Sequence, residues 1–275
     1  MAPAAPLKSA AFFDLDKTVI ARSSALAFSR PFYAGGLITR RAVLRSAYAH
    51  FLFQAAGADH DQMERMRTYM SQMVAGWDVD QVHSIVQETL TEIITPAVYR
   101  EAQELIAEHH AAGRDVVLVS SSGADVVGPI GAMLGVDKVL ATQMVVKDGH
   151  YTGEIAFYNY AEAKPLAIRE LADQDGYDLA TSYAYSDSIT DLPMLMAVGR
   201  PTAVNPDRAL RKEALAREWP ILDFIHPVNL RQRLAQQVTS LPSPKPATMG
   251  VAVAALAAAG ALLWYLGRRR GTLST

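Results

Sequence analysis

The chain has 275 residues, half of them hydrophobic, which is enough to bury the core of one large α/β domain or two smaller domains. The 26 basic and 28 acidic residues nearly cancel, so no global field attracts nucleic acid, and we expect no nucleic-acid partner. The absence of cysteine excludes a disulfide framework, a thiolate zinc site and a cysteine nucleophile.

The N-terminal part of the chain predicts one strand and then a helical insertion. Residues 1–8 lack the basic stretch and long apolar run of a cleaved secretion signal. The first apolar run, Ala10–Phe13, ends at Asp14 and predicts a buried strand. From about Ser23 to Gly113 the pattern is helical with no candidate strand, which is too long for a simple crossover between two strands. We therefore predict a helical domain inserted after the first strand.

The later part of the chain predicts alternating strands and helices. Further buried strands are expected at Val116–Val119, Val136–Ala141, Thr181–Tyr185 and Pro201–Val204. Helical stretches such as Ala161–Asp173 and Asp191–Val198 lie between the later strands. This alternation favours a parallel sheet that is covered on both faces. Gln143–Lys147 and Tyr151–Ala156 predict a β-hairpin, because the dipeptide Asp148-Gly149 between them is typical of a two-residue turn.

A spacer and an apolar segment follow the predicted α/β domain. Prolines recur through Thr239–Pro246, which forbids a helix and favours an extended tether. Met249–Leu266 contains no charged residue, precedes Arg268–Arg270, and is just long enough to cross a membrane as a helix. The alternative is an alanine-rich helix packed on the domain, but such a helix would need a polar face. We expect a single-pass membrane anchor, with the large domain in the cytoplasm.

Two aspartates mark the end of the first predicted strand. Asp14 and Asp16 are one residue apart and are followed by Thr18. Because the carboxyl ends of parallel strands form the ligand crevice, these side chains are delivered to where a small molecule would bind. Carboxylates so close repel each other unless a cation lies between them, and Mg²⁺ prefers such oxygen ligands. The alternative is an Asp-rich turn that caps the next helix.

Two further signals concern anion binding. Ser120 and Ser121 follow an apolar strand, where hydroxyl groups and backbone N–H groups at a helix N-terminus can bind an anion. Lys164 lies at the start of a predicted helix. By themselves these residues are also compatible with an ordinary helix cap and a solvated lysine.

The last signal is a second pair of aspartates. Asp187 follows the strand Thr181–Tyr185 and is expected to reach the crevice, while Asp191 lies one helical turn further and can steady the loop. In chain order, the D-x-D-x-T string, the strand-end serine, the lysine and the S-D-S-x-x-D string resemble the haloacid dehalogenase superfamily. The resemblance is to its phosphoserine-phosphatase-like branch, and it covers about residues 10–210. One departure is Ser186, where many relatives have glycine.

The resemblance implies a chemistry for each position. Asp14 would attack phosphorus, and Asp16 would protonate the leaving oxygen and later activate water. Asp14, the main-chain carbonyl of Asp16 and Asp187 would hold Mg²⁺, and Asp191 would support the loop. The expected phosphate-binding residues are Thr18, Ser120, Ser121 and Lys164.

The resemblance also implies an architecture. We predict an α/β, Rossmann-like core with an inserted helical cap and a C-terminal membrane helix. The expected parts are a core of residues 1–22 and 113–225, a cap of residues 23–112, a linker of residues 226–247, a membrane helix of residues 248–267 and a basic tail of residues 268–275.

The expected substrate is a small or lipid-linked phosphomonoester. Phosphoserine phosphatases usually carry a glutamate shortly after the first motif to bind the substrate ammonium, but Val19–Ser24 contains no acid. The alternatives are a phosphoserine phosphatase that draws its acid from the cap, a phosphotransferase, and a membrane-tethered binding module without turnover. The presence of both Asp14 and Asp16 argues against the binding module.

Overall fold

Seven strands form one sheet in the residues that the structure, a computed structural model, describes: 8–38, 68 and 71–227. In chain order they are β1 (Ala10–Asp14), β2 (Asp115–Gly123), β3 (Lys138–Lys147), β4 (His150–Phe157), β5 (Tyr183–Ser186), β6 (Arg200–Val204) and β7 (Ile221–Leu222). The order across the sheet is β4-β3-β2-β1-β5-β6-β7. Only the β3–β4 pair is antiparallel among these neighbours. The predicted parallel α/β sheet is confirmed.

Helices cover both faces of the sheet. Those in the described residues are α1 (Ser24–Ala27), α2 (Ser29–Ala34), α3 (Val79–Ile94), α4 (Arg100–Ala111), α5 (Ala124–Leu134), α6 (Ala163–Asp175), α7 (Leu192–Met196) and α8 (Arg208–Ala216), with short 3₁₀ turns at Thr95–Ala97 and Ile189–Asp191. Every residue of β1 is buried. Ala11 and Phe13 pack in one apolar cluster, and Ala10 and Phe12 pack in another. A strand buried on both faces explains the continuous apolar run in the sequence.

The strand register gathers the carboxyl ends at one edge of the sheet. β1 lies between β2 and β5, with Asp14 opposite Val119 and Phe13 opposite Tyr185. Ser120 therefore follows at the level just beyond Asp14 on one side. Asp187 follows β5 at the corresponding level on the other side, so three elements deliver polar side chains to the same edge.

Two features of the sheet differ from the prediction. One strand, β3, takes up the second predicted run, Gln143–Lys147, and the first run, Val136–Ala141, from residue 138 onward. Its first half pairs in parallel with β2, and its second half pairs antiparallel with β4. Because one strand serves both neighbours, the sequence showed two patterns where the fold has one element. Strand β7 was not predicted, since two residues are too short to show an alternation.

Helix α4 packs directly on the sheet. Its buried residues Ala102, Ile106 and His109 face the strands, and the ring of His109 lies 5.8 Å from the ring of Phe13, edge to face. The division between a core and a cap at residue 112 stays a prediction, and it assigns this sheet-covering helix to the cap. Residues 39–67, 69 and 70 of the predicted cap lie outside the described residues.

The last described segment is clamped to the start of α4. The Oε1 atom of Glu101 accepts hydrogen bonds from the backbone N–H groups of Ile225 and His226, each at 3.1 Å, and lies 2.6 Å from Nδ1 of His226. The backbone N–H of Arg100 donates to the carbonyl of His226 at 3.0 Å. These hydrogen bonds fix the segment after β7 to the first turn of α4.

No helix within residues 8–38 or 71–227 is long and apolar enough to cross a membrane. The predicted membrane helix of residues 248–267 lies outside the described residues, as do residues 228–247 and the tail 268–275. The expected anchor therefore has no structural support.

Candidate active site

A buried lysine lies at the centre of the predicted site. The Nζ atom of Lys164, in the first turn of α6, donates to Oδ1 of Asp14 and to Oδ2 of Asp191, each at 2.8 Å. The lysine side chain is only 2% exposed. Burial alone lowers the pKa of this ammonium, but the charges of Asp14 and Asp191 outweigh burial and raise it above its usual range. The lysine therefore stays charged, with one N–H left to offer to an anion beyond these two bonds.

Asp14 lies in a surplus of negative charge. Burial raises the pKa of its carboxyl well above the usual range, Lys164 lowers it, and the charges of Asp191 and Asp187 raise it further. We call Asp14, Lys164, Asp187 and Asp191 the site cluster. It contains three carboxyl groups and one ammonium, so its acids exceed its positive charge. The cluster is thus suited to receive a cation.

Asp187 is a further buried acid of the site cluster. It follows β5, it is mostly buried, and burial raises its pKa to about 7, against a lowering by the charge of Lys17. A bound divalent ion would stabilise the carboxylate form of Asp187 and so oppose the effect of burial on its pKa.

The donor set fits Mg²⁺, a hard ion with oxygen ligands. Among the described residues no three histidine, cysteine, aspartate or glutamate side chains are grouped to hold a metal by themselves. The predicted set does not require this, because it combines two carboxylates, of Asp14 and Asp187, with the main-chain carbonyl of Asp16. Waters would complete such a site, as is usual for this ion.

Asp16 is held away from Lys164 by a different partner. Its Oδ1 accepts a hydrogen bond from the backbone N–H of Ser24 at 2.9 Å. Burial raises the pKa of Asp16, and the bond from Ser24 lowers it. A raised pKa favours the protonated carboxyl, the form that a general acid needs.

The expected phosphate-binding residues lie around this pair. Thr18 is fully buried, and its hydroxyl lies 3.4 Å from Oδ2 of Asp14, a long contact. The Oγ atom of Ser120 accepts from the backbone N–H of Ser122 at 3.2 Å, so its own proton can be donated elsewhere. At Ser121 the bonded group is the carbonyl, which accepts from Thr142 at 2.7 Å.

Sequence reasoning missed two buried residues that brace these serines. The Oγ atom of Ser24 lies 2.8 Å from Oγ of Ser122, which joins the Asp16 loop to the end of β2. The side-chain amide of Asn159 donates to the carbonyls of Ser120 and Leu140, at 3.2 and 2.8 Å. Their partners are distant in sequence, so no local motif pointed to either residue.

Known proteins resemble this chain in sequence and in fold. A family model described as haloacid dehalogenase-like hydrolase matches residues 11–196. A Streptomyces azureus protein named inhibition of morphological differentiation protein is 62% identical over 269 residues, covering 97% of this chain and 96% of its own. A probable phosphatase of Mycobacterium tuberculosis is 59% identical, with 95% of this chain and 90% of its own covered.

A phosphoserine phosphatase of Mycobacterium tuberculosis is 33% identical over 258 residues, covering 93% of this chain and 81% of its own. A substrate-bound phosphoserine phosphatase structure shares the fold, with a TM-score of 0.58 at 20% identity over 83% of this chain and 98% of that one. The family model spans more than half of the chain, which establishes the family to which it belongs. The chain belongs to the haloacid dehalogenase-like hydrolases, as an enzyme of the family's phosphatase type.

Proposed function

We propose that this enzyme is a magnesium-dependent phosphomonoester hydrolase with Asp14 as its nucleophile. The main observation in support is the buried Lys164, whose Nζ atom lies 2.8 Å from Oδ1 of Asp14 among an excess of carboxylates. An anionic nucleophile approaching an anionic phosphate needs positive charge on both, and phosphoryl transfer is mostly positioning and electrostatics. Lys164 supplies part of that charge from the protein itself.

In the first step an Asp14 carboxylate oxygen forms a bond to phosphorus, and the bond between phosphorus and the ester oxygen breaks. Asp16 gives its proton to the departing oxygen, for which its raised pKa is suitable. The product alcohol leaves, and an acyl phosphate remains on Asp14.

In the second step water attacks that phosphorus, Asp16 takes a proton from the water, and the Asp14–phosphate bond breaks to release inorganic phosphate. Thr18, Ser120, Ser121 and Lys164 would donate hydrogen bonds to the phosphoryl oxygens in both steps. When bound by Asp14, Asp187 and the main-chain carbonyl of Asp16, Mg²⁺ would supply electrostatic stabilisation of the transferring group.

The test of the nucleophile is Asp14→Asn, which nearly preserves shape but is a poor nucleophile. Hydrolysis of an aryl phosphate with Mg²⁺ should fall at least about a thousandfold, with an unchanged circular dichroism spectrum. Wild-type turnover in this variant would overturn the mechanism. It would also be the outcome expected if the measured activity came from a contaminant, so a mock purification serves as the control.

The substrate we propose is a small or lipid-linked phosphomonoester without an ammonium group. Its support is the absence of an acid in Val19–Ser24, the stretch that would lie near such a group. An unpaired ammonium in a closed site costs roughly 1–3 kcal/mol, about tenfold to a hundredfold in selectivity. A phosphoserine phosphatase is the second candidate, because a relative with that name is 33% identical.

Kinetics would separate the substrates. We expect kcat/KM for glycerol phosphate or a lysophosphatidate in detergent to exceed that for phosphoserine. A tenfold lead for phosphoserine would mean that the cap supplies the acid. Product analysis in the presence of an alcohol acceptor would detect a phosphotransferase, since the phosphate would then appear on the acceptor rather than free.

We also propose that residues 249–266 anchor the enzyme to a membrane, which would raise its encounter rate with membrane-borne substrates. The support is the uncharged run of 249–266 followed by Arg268–Arg270. Full-length protein should remain with membranes after carbonate extraction. A protein truncated after Ser240 should be soluble and keep its activity on a water-soluble substrate. Recovery of the full-length chain in the soluble fraction would contradict the anchor.

A further inference from the structure

Ser186 makes a bond that the mechanism above does not use. It is the last residue of β5 and is fully buried. Its Oγ atom donates to Oδ2 of Asp191 at 2.7 Å, the same oxygen that accepts from Lys164. The backbone N–H of Ser188 donates to the Ser186 oxygen at 3.3 Å. That amide occupies a lone pair of the hydroxyl and leaves its proton directed at Asp191.

The hydrogen bond from Ser186 to Asp191 affects how the Lys164 ammonium is positioned between Asp191 and Asp14. Asp191 and Asp14 hold the ammonium at equal distances, 2.8 Å each. Within the described part of the chain, a residue without a hydroxyl at position 186 would leave Lys164 as the only donor to Oδ2 of Asp191. A carboxylate with one donor fewer attracts the ammonium more strongly and is freer to rotate. The first change would draw positive charge away from Asp14, and the second would loosen the position of Lys164 beside it.

The same bond also closes the loop that carries Asp187. It joins the end of β5 to the last residue of the turn Ile189–Asp191 and so encloses the backbone between them. Within that loop the carbonyl of Asp187 accepts from the N–H of Asp207 at 2.7 Å. The hydroxyl thus steadies both acids that flank Asp14.

We propose that Ser186 is a positioning residue of this phosphatase that acts through Asp191 to hold Lys164 against Asp14. The inference rests on the proposed function, in which Lys164 offsets charge on the nucleophile. Among the described residues the hydrogen bonds of the Ser186 hydroxyl go to Asp191 and to the N–H of Ser188, and none goes to Asp14, so we expect Ser186 to affect turnover far more than substrate binding.

The test is a kinetic and coupling experiment on the full chain. Ser186→Ala should lower kcat about tenfold for an aryl phosphate and leave KM within about twofold, because a charge-assisted hydrogen bond is lost while the phosphate contacts remain. In an Asp191→Asn background, Ser186→Ala should change kcat less than about twofold, since the two residues act as one unit. Equal losses in both backgrounds would overturn the proposal.

A matched control separates positioning from a general loss of stability. Ser182→Ala removes another fully buried hydroxyl, which lies just before β5, accepts from Ala10 N–H at 3.0 Å and donates to the carbonyl of Asp178 at 2.7 Å. Ser182→Ala should lower the melting temperature but leave kcat per folded molecule unchanged. If it lowers kcat as much as Ser186→Ala does, Ser186 is merely structural and the proposal fails.

A second variant covers the case in which Ser186→Ala does not fold. Ser186→Cys fills nearly the same space with a weak donor, and it should show the same loss of kcat. Wild-type kcat in Ser186→Cys would overturn the inference alone, provided that Asp14→Asn abolishes activity. If Asp14→Asn remained active, the proposed function would fail and this inference with it.

Discussion

Two polar clusters of this fold differ in how their buried titratable groups are paired. The site cluster holds three acids around Lys164, and burial raises the pKa of Asp14 and of Asp187. The second, which we call the histidine cluster, lies between α4 and the sheet and consists of His109, Arg114, Tyr183 and Tyr185, with the exposed Arg200 at its edge. Phe13 connects the two clusters along β1, because it directly precedes Asp14 and its ring stacks on that of Tyr185 at 4.4 Å.

The buried members of the histidine cluster are neutral and paired. Nε2 of His109 lies 2.8 Å from the hydroxyl of Tyr185, and the Nε–H of Arg114 donates to Nδ1 of His109 at 2.7 Å. Burial, with smaller contributions from the charges of Arg114 and His110, lowers the pKa of His109 to about 4. Because Nδ1 accepts from Arg114, the proton of the neutral ring lies on Nε2 and is donated to Tyr185.

The difference between the clusters separates architecture from chemistry. In the histidine cluster both ring nitrogens of His109 have a protein partner, so the buried ring keeps no free donor or acceptor for a ligand. In the site cluster the protein's own groups leave negative charge uncompensated, and a stable fold tolerates this where a ligand completes the balance. Three substitutions would break or sharpen this contrast.

The largest effect is expected for Lys164→Met. Removing the ammonium leaves buried acids without their cation, which should lower the free energy of unfolding by about 3–5 kcal/mol. Hydrolysis should fall at least about a thousandfold. Denaturant titration and an aryl phosphate assay would measure the two effects. The matched control is Lys138→Met, which removes an exposed lysine paired with Asp175 and should change little. Equal destabilisation by both variants would contradict the central role of Lys164.

The second effect concerns pH and the histidine cluster. The folded pKa of His109, about 4, is below its unfolded value, so its contribution to stability is complete above about pH 6.5 and is lost as pH falls towards 4. His109→Gln should lower the free energy of unfolding by roughly 1–3 kcal/mol near pH 7, because two buried bonds are weakened. The variant should lose less stability than wild type between about pH 6.5 and 4.

Denaturant titrations at several pH values would measure this. The exposed His83 of α3 offers the control, since His83→Gln should keep the loss of stability that the His109 ring gives the wild type over this pH range. Turnover near neutral pH should stay within about twofold in both variants, because neither residue belongs to the site cluster. A large loss of kcat in His109→Gln would show that the two clusters are not separate.

The smallest effect is expected for Asp187→Asn. Losing one carboxylate ligand should raise the Mg²⁺ concentration for half-maximal activity about tenfold, with a smaller change of kcat at saturation. Mg²⁺-induced stabilisation in thermal unfolding should weaken in parallel, which gives a readout independent of activity. Asp223→Asn, which alters an exposed acid paired with Arg211, should leave both titrations unchanged. An unchanged titration in Asp187→Asn would remove Asp187 from the metal site.

The parts of the fold that follow from local pattern could be predicted. The apolar run before Asp14 and the turn dipeptide at Asp148-Gly149 gave β1 and the β3–β4 hairpin, because burial and turn chemistry act over a few residues. The strand-end rule predicted Asp14 as a site residue, and the family resemblance added Lys164. The structure joins the two side chains at 2.8 Å. The roles assigned to the site residues stay predictions.

What could not be predicted depends on distant pairing. Ser24 meets Ser122, which is 98 residues away, and Asn159 meets Ser120, which is 39 residues away, so neither shows a local signal. The bond between Ser186 and Asp191 is local, but it depends on a side-chain direction that the sequence does not express. His109 did carry a signal, since it shares the buried helical face of Ala102 and Ile106.

The bonds of Glu101 have a consequence for where this enzyme can be shortened. A protein that ended before Phe224 would lose the N–H groups of Ile225 and His226 and leave the Glu101 carboxylate without those donors. It would also expose Asn205, whose side chain bonds both the N–H and the carbonyl of Phe224. We therefore expect the cooperatively folding unit to extend at least through His226. A deletion series should show a sharp drop in melting temperature when that boundary is passed, rather than a gradual decline.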